Sequence, residues 1–85
     1  MEIDETLKAA SKYAMSKLSL NDVTFSGLYF DEKADEWRVH FRRNNATYFP
    51  VIINLDEMLF RTGSTDIDAL TDEIVRKLQE IQLAA

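Results

Sequence analysis

A small α+β domain of order α-β-β-β-α is what this 85-residue sequence predicts, and three observations carry it. Apolar residues recur at helical spacing near both ends. Between them, Glu36 to Arg43 alternates strictly: Trp37, Val39 and Phe41 point one way, Arg38, His40 and Arg42 the other. Strand-like segments bounded by turn residues lie on both sides of that stretch. It therefore reads as the middle strand of a three-stranded antiparallel meander, with both helices packed on one face.

Residues 3–18 read as the first helix. Ile3, Leu7, Ala10, Ala14 and Leu18 form one apolar stripe, with Tyr13 and Met15 expected at the core edge. Asp4 and Glu5 fall in its first turn, where negative charge suits the positive end of the helix dipole. Asn21 and Asp22 signal a turn, and residues 23–30 read as the first strand. Asp31, Glu32, Lys33, Ala34 and Asp35 make a polar five-residue hairpin loop. Such a loop pairs Phe30 with Glu36 and sets Tyr29 opposite Trp37, Gly27 opposite Val39 and Phe25 opposite Phe41, all toward the core. The outward row is then Leu28 beside Arg38, Ser26 beside His40 and Thr24 beside Arg42. Gly27 either admits a bulky neighbour or marks a bulge.

Asn44 and Asn45 supply the second turn, since asparagine tolerates positive φ. Residues 47–54 read as the third strand, and here alternation fails: Tyr48 through Ile53 is apolar on both faces. A two-residue turn sends Phe49, Val51 and Ile53 outward. A three-residue loop through Ala46 turns them inward and leaves Tyr48, Pro50 and Ile52 outside. The second register is preferred, because it gives the core its β-branched residues. Pro50 has no N–H to donate, which places this strand at an edge. Residues 55–62 read either as a short helix, capped by Asn54 and stopped at Gly63, or as a loop leading to a short strand; the helix is favoured. Taking Thr65 as the next N-cap puts Asp68 at N3. Ile67, Leu70, Ile74, Leu78 and Ile81, with Val75 beside them, then stripe a helix running to about Gln82.

Composition sets the bounds. One domain spans 1–85, and a chain this short buries only roughly 60–65% of its extended surface, which leaves a thin margin for folding alone. There is no cysteine, which excludes a disulfide scaffold and a thiol nucleophile. The acidic N-terminus lacks a secretory h-region, and no run approaches the roughly 18 apolar residues of a membrane span. A cytoplasmic chain that does not engage membrane is the expectation. The formal charge is −5, and residues 64–85 carry five acids against two bases. That balance repels nucleic acid on average.

The chemistry-bearing residues are few. His40 is the only histidine, so one chain cannot build a histidine metal cluster. Ser26 falls beside it in the expected register, but no acid is placed to orient the imidazole. Asp31, Glu32, Asp35 and Glu36 lack the spacing of a calcium loop. Gly27 and Gly63 stand alone and form no phosphate loop. No catalytic, metal or cofactor residue is assigned, and the expectation is a non-enzyme.

What remains is the outward row. Arg38, His40 and Arg42 make a basic stripe, flanked by Leu28 on one side and by Tyr48 and Ile52 on the other. A third strand apolar on both faces needs cover on both, and two helices cover only one. These six residues are therefore the expected contact surface for a protein partner, with a homodimer through the sheet as one form of it. The alternative is a nucleic-acid or phosphate binder, its backbone held by the basic stripe and a base stacked on Tyr48. The element order resembles the double-stranded RNA-binding domain. That family reads RNA with basic residues at the start of its last helix. Here the corresponding positions are Asp66, Asp68, Asp72 and Glu73, the opposite sign, so the resemblance implies topology and no RNA binding. Those carboxylates suit instead an adaptor or an immunity-like inhibitor that imitates phosphates.

Overall fold

The computed structural model describes residues 2–43 and 47–84. Its elements are α1 (Ile3–Lys17), β1 (Val23–Asp31), β2 (Glu36–Arg43), β3 (Thr47–Ile53), α2 (Leu55–Thr62) and α3 (Ile67–Ala84). The expected α+β class and element order are observed, with 55–62 a helix. The turn expected at Asn44 and Asn45, and the loop through Ala46, lie outside the described residues.

The sheet is an antiparallel meander in the order β1-β2-β3. Val39 and Phe41 on β2 and Val51 and Ile53 on β3 are buried, together with Leu7, Ala10 and Ala14 of α1 and Leu70, Ile74 and Leu78 of α3. α1 and α3 pack on each other and on this inner face. Phe41 is the hinge of the core: Phe25 meets it edge-on at 6.3 Å and Phe49 stacks on it at 5.9 Å. Within α1 the stripe closes through Ser11, which is buried and donates its hydroxyl to the Leu7 carbonyl at 2.6 Å. Tyr13, expected at the core edge, is 56% exposed, because the helix turns it away from the Leu7–Ala14 line.

The β2–β3 register is the one preferred from the sequence: Trp37 pairs with Ile53, Val39 with Val51 and Phe41 with Phe49. Tyr48, Pro50 and Ile52 therefore point outward. β3 is an edge strand, and Lys77 of α3 donates to the Ile52 carbonyl. With Pro50 unable to donate, β3 makes a poor template for another strand.

The β1–β2 register needs correction. Phe25 pairs with Phe41 and Thr24 with Arg42, as expected. A bulge between Phe25 and Gly27 then inserts Ser26 as an extra residue, and every pair nearer the hairpin shifts by one. Gly27 lies opposite His40, Leu28 opposite Val39, Tyr29 opposite Arg38 and Phe30 opposite Trp37. A one-residue slip exchanges the faces of a strand. Leu28 and Phe30 turn inward, and Tyr29 turns out with 58% of its surface exposed. The strand also extends to Asp31, so the connecting loop is one residue shorter than expected. Asp31 holds that loop by accepting hydrogen bonds from the backbone N–H of Lys33 and Ala34.

Helix α2 starts and stops where expected. The Asn54 side chain accepts from Glu57 N–H at 2.9 Å, and Gly63 closes the helix in the left-handed region with φ 81°. For α3 the cap is Asp66 rather than Thr65. Its carboxylate accepts from Ala69 N–H at 2.9 Å, and the Ser64 hydroxyl accepts from Asp66 N–H. The aspartate wins because an ionised acceptor suits the positive helix end better than a hydroxyl.

Candidate functional site

The outer face of the sheet carries a row from the middle strand and two flanking rows. Arg38 sits between Tyr29 and Ile52, His40 between Gly27 and Pro50, and Arg42 between Thr24 and Tyr48. Tyr48 is 60% exposed and Pro50 is exposed, while Arg38, His40, Arg42 and Ile52 are half-buried. Five of the six residues expected at a contact surface thus share one face. The sixth, Leu28, does not. The bulge places it opposite Val39 and packs it against the core. Tyr29 takes its place, a residue that an unbulged register hides.

These neighbours hold the stripe in position. The Arg38 guanidinium donates to the Asp31 carboxylate at 3.2 Å, and the Arg42 guanidinium lies 5.5 Å from the centre of the Tyr48 ring. His40 faces two neighbours that leave room around it, since a methyl group added at Gly27 would meet nothing within 4 Å. The result is a shallow groove of about 720 Å³ over β1 and β2, walled by Tyr29 and Tyr48 and lined by Arg38, His40 and Asp31. Asp31 was legible only as a loop carboxylate. Its position opening a hairpin loop, with backbone N–H groups two and three residues on, is the signal that marks it as the organiser of the turn.

The acidic start of α3 is less available than its sequence suggests. Glu73 is 6% exposed and is bound by Arg61 from α2 and by Arg76 at 3.2 Å. Asp66 caps the helix. Asp72 faces Lys17 at 3.6 Å in an exposed pair. Of the four carboxylates only Asp68 has no such role among the described residues. Glu57 joins the same network: its hydrogen bond from Arg61 holds the carboxyl below the usual glutamate range, against a smaller upward push from desolvation. Arg61 is raised in turn, first by that bond.

Gly27 rather than Ser26 pairs with His40, so the serine–histidine neighbours of the sequence reading are not register partners. Among the described residues no three histidine, aspartate or glutamate side chains converge to hold a metal ion, and no helix is long and apolar enough to cross a membrane. Fold and face together define a small α+β chain in which, among the described residues, no helix covers the outer side of the antiparallel sheet. No protein-family model, curated protein or solved structure matches the chain.

Proposed function

We propose that this chain is a non-enzymatic protein-interaction module, of adaptor or inhibitor type, whose docking surface is the outer sheet face. One observation carries the reading: Arg38, His40 and Arg42 stand in a row between exposed Tyr29 and Tyr48 on a chain otherwise rich in acids. Tyrosine and arginine are the residues that anchor protein interfaces, through large stiff area and forked hydrogen bonding. The partner's complementary chemistry is an acidic segment carrying apolar groups for Tyr29, Tyr48 and Ile52. A second copy meets this requirement poorly face to face, because basic stripe then opposes basic stripe. It meets it better by presenting the acidic side of α3, where Asp68 makes no ion pair among the described residues. The buried and paired state of Glu73 moves the inhibitor reading away from the helix carboxylates and onto the sheet.

The test is fluorescence polarisation with a short labelled peptide rich in glutamate and tyrosine, beside labelled oligothymidine at the same ionic strength. Peptide binding that weakens at least tenfold in the Arg38→Ala, Arg42→Ala double variant supports the reading. Tighter binding of oligothymidine, with a steep salt dependence, shifts it to single-stranded nucleic acid, for which the two tyrosines would be stacking faces. Light scattering on wild type and Ile52→Lys reports whether the chain pairs with itself through this face.

A further inference from the structure

On the other side of the β1–β2 hairpin, between its end and the start of α2, lies a cleft of about 230 Å³ lined by Phe30, Asp35, Trp37, Leu55 and Asp56. We propose that it binds an organic cation, an alkylated ammonium group carried by a small amine or by a modified lysine side chain. The proposal does not rest on the sheet-face reading.

Two aromatic rings form the wall. Phe30 and Trp37 are register partners, their centroids 5.0 Å apart and their planes inclined at 50°. They are neither stacked flat nor set edge to face, so the rings diverge. Both are half-buried, as is Leu55 behind them. An aromatic face carries negative charge density, and the indole is the strongest of the protein rings in attracting a cation. The same bulge that turned Tyr29 out turned Phe30 in, so this wall exists only in the shifted register.

The rim is anionic and comes from two separate elements. Asp35 stands in the hairpin turn, in the left-handed region with φ 54°, and Asp56 stands in the first turn of α2. Both are exposed, and among the described residues neither is matched by a salt bridge. Among the described residues no basic side chain lines the cleft. An anion is repelled there. A bare metal ion finds two carboxylates where calcium takes six to eight oxygens. A neutral apolar guest draws on the rings but shields the carboxylates from water at a cost. A soft, weakly hydrated cation uses both halves of the site. At roughly 30 Å³ of liquid volume per water, the cleft holds several waters' worth, the size of an alkylated ammonium head rather than a nucleotide.

Trp37 is the only tryptophan and reports directly on the cleft. Its fluorescence is titrated with tetramethylammonium, with a trimethyllysine peptide and with neopentyl alcohol, a neutral body of similar shape, at constant ionic strength. A saturable change with the ammonium, at least tenfold weaker with the alcohol, is expected. Tighter binding of the peptide than of tetramethylammonium identifies a protein side chain as the source; equal binding identifies a free amine. The Asp35→Asn, Asp56→Asn double variant keeps the shape, and asparagine tolerates the positive φ at position 35. It is expected to fold, by circular dichroism, and to bind the ammonium about tenfold more weakly. Lys8→Ala, at an exposed position on α1 that does not line the cleft, leaves the titration unchanged. Equal response to alcohol and ammonium, no saturable response, or undiminished binding by the folded double variant overturns the proposal.

Discussion

Phe41 is the residue on which the core turns. It is fully buried and is flanked across both strand pairs by Phe25 and Phe49. Phe41→Ala removes a large side chain and leaves a cavity between two rings. The expected loss is about 3–5 kcal/mol by urea unfolding, enough to threaten folding in so small a chain. Gly27 makes the contrasting case. Its strand position carries no positive φ and an added Cβ meets nothing within 4 Å. Gly27→Val is expected to fold with unchanged or slightly raised stability, up to about 1 kcal/mol, since glycine weakens a strand. The same side chain fills the groove beside His40, so it should also weaken capture of the acidic peptide. A variant that binds as wild type places the docking surface elsewhere.

At the scale of elements, α2 is the least self-sufficient piece. Eight residues are too few for a helix to persist alone, and this one is held by its caps, by buried Met58 and by the ion network to α3. Gly63→Ala forces a Cβ into a left-handed backbone and is expected to cost about 1–2 kcal/mol. The network is asymmetric. Glu73 is buried, whereas Arg61 and Arg76 are 39% and 50% exposed and can turn to water. Arg61→Ala with Arg76→Ala leaves the buried Glu73 carboxylate without its partners and should destabilise more than Glu73→Gln does. The reverse order in chemical denaturation would refute the asymmetry. Glu57, on the exposed end of the network, has a lowered folded-state pKa because Arg61 bonds its charged form. Its contribution is therefore present above the ordinary glutamate value and fades as pH falls through the lowered one. Side-chain NMR titration should place Glu57 below the usual range in wild type and return it upward in Arg61→Ala.

Over the whole molecule, charge is sorted by surface. The chain carries −5 in total; on the outer sheet face Arg38, His40 and Arg42 stand together with Asp31, and the hairpin cleft is rimmed by Asp35 and Asp56. The two proposed sites would draw opposite ligands to opposite sides of one hairpin, and the bulge at Ser26 shapes both. Added salt should weaken both titrations, the sheet-face one more steeply, because its groove is shallow and open to screening. Equal insensitivity to salt would deny charge its role in either site.

The residues by themselves determined a good deal here. Alternation from Trp37 to Arg42, the helical stripes of α1 and α3, and the Asn54 and Gly63 caps are local signals, and each reports on chain that lies within a turn or two. Even the β3 register could be chosen, because burying Val51 and Ile53 outweighs exposing Tyr48 and Ile52. What only the tertiary structure decided was the register of β1 beyond Phe25. Phe25, Leu28 and Phe30 are all apolar, and a single extra residue lets all three face the core where regular alternation cannot, since it sends Leu28 and Phe30 to the other side from Phe25. The gain comes from Val39 and Trp37 across the hairpin and from the core that packs against Leu28, contacts that no alternation within β1 reports. That is why Leu28 left the outer row, Tyr29 entered it, and Phe30 met Trp37 over a cleft that no local pattern announces.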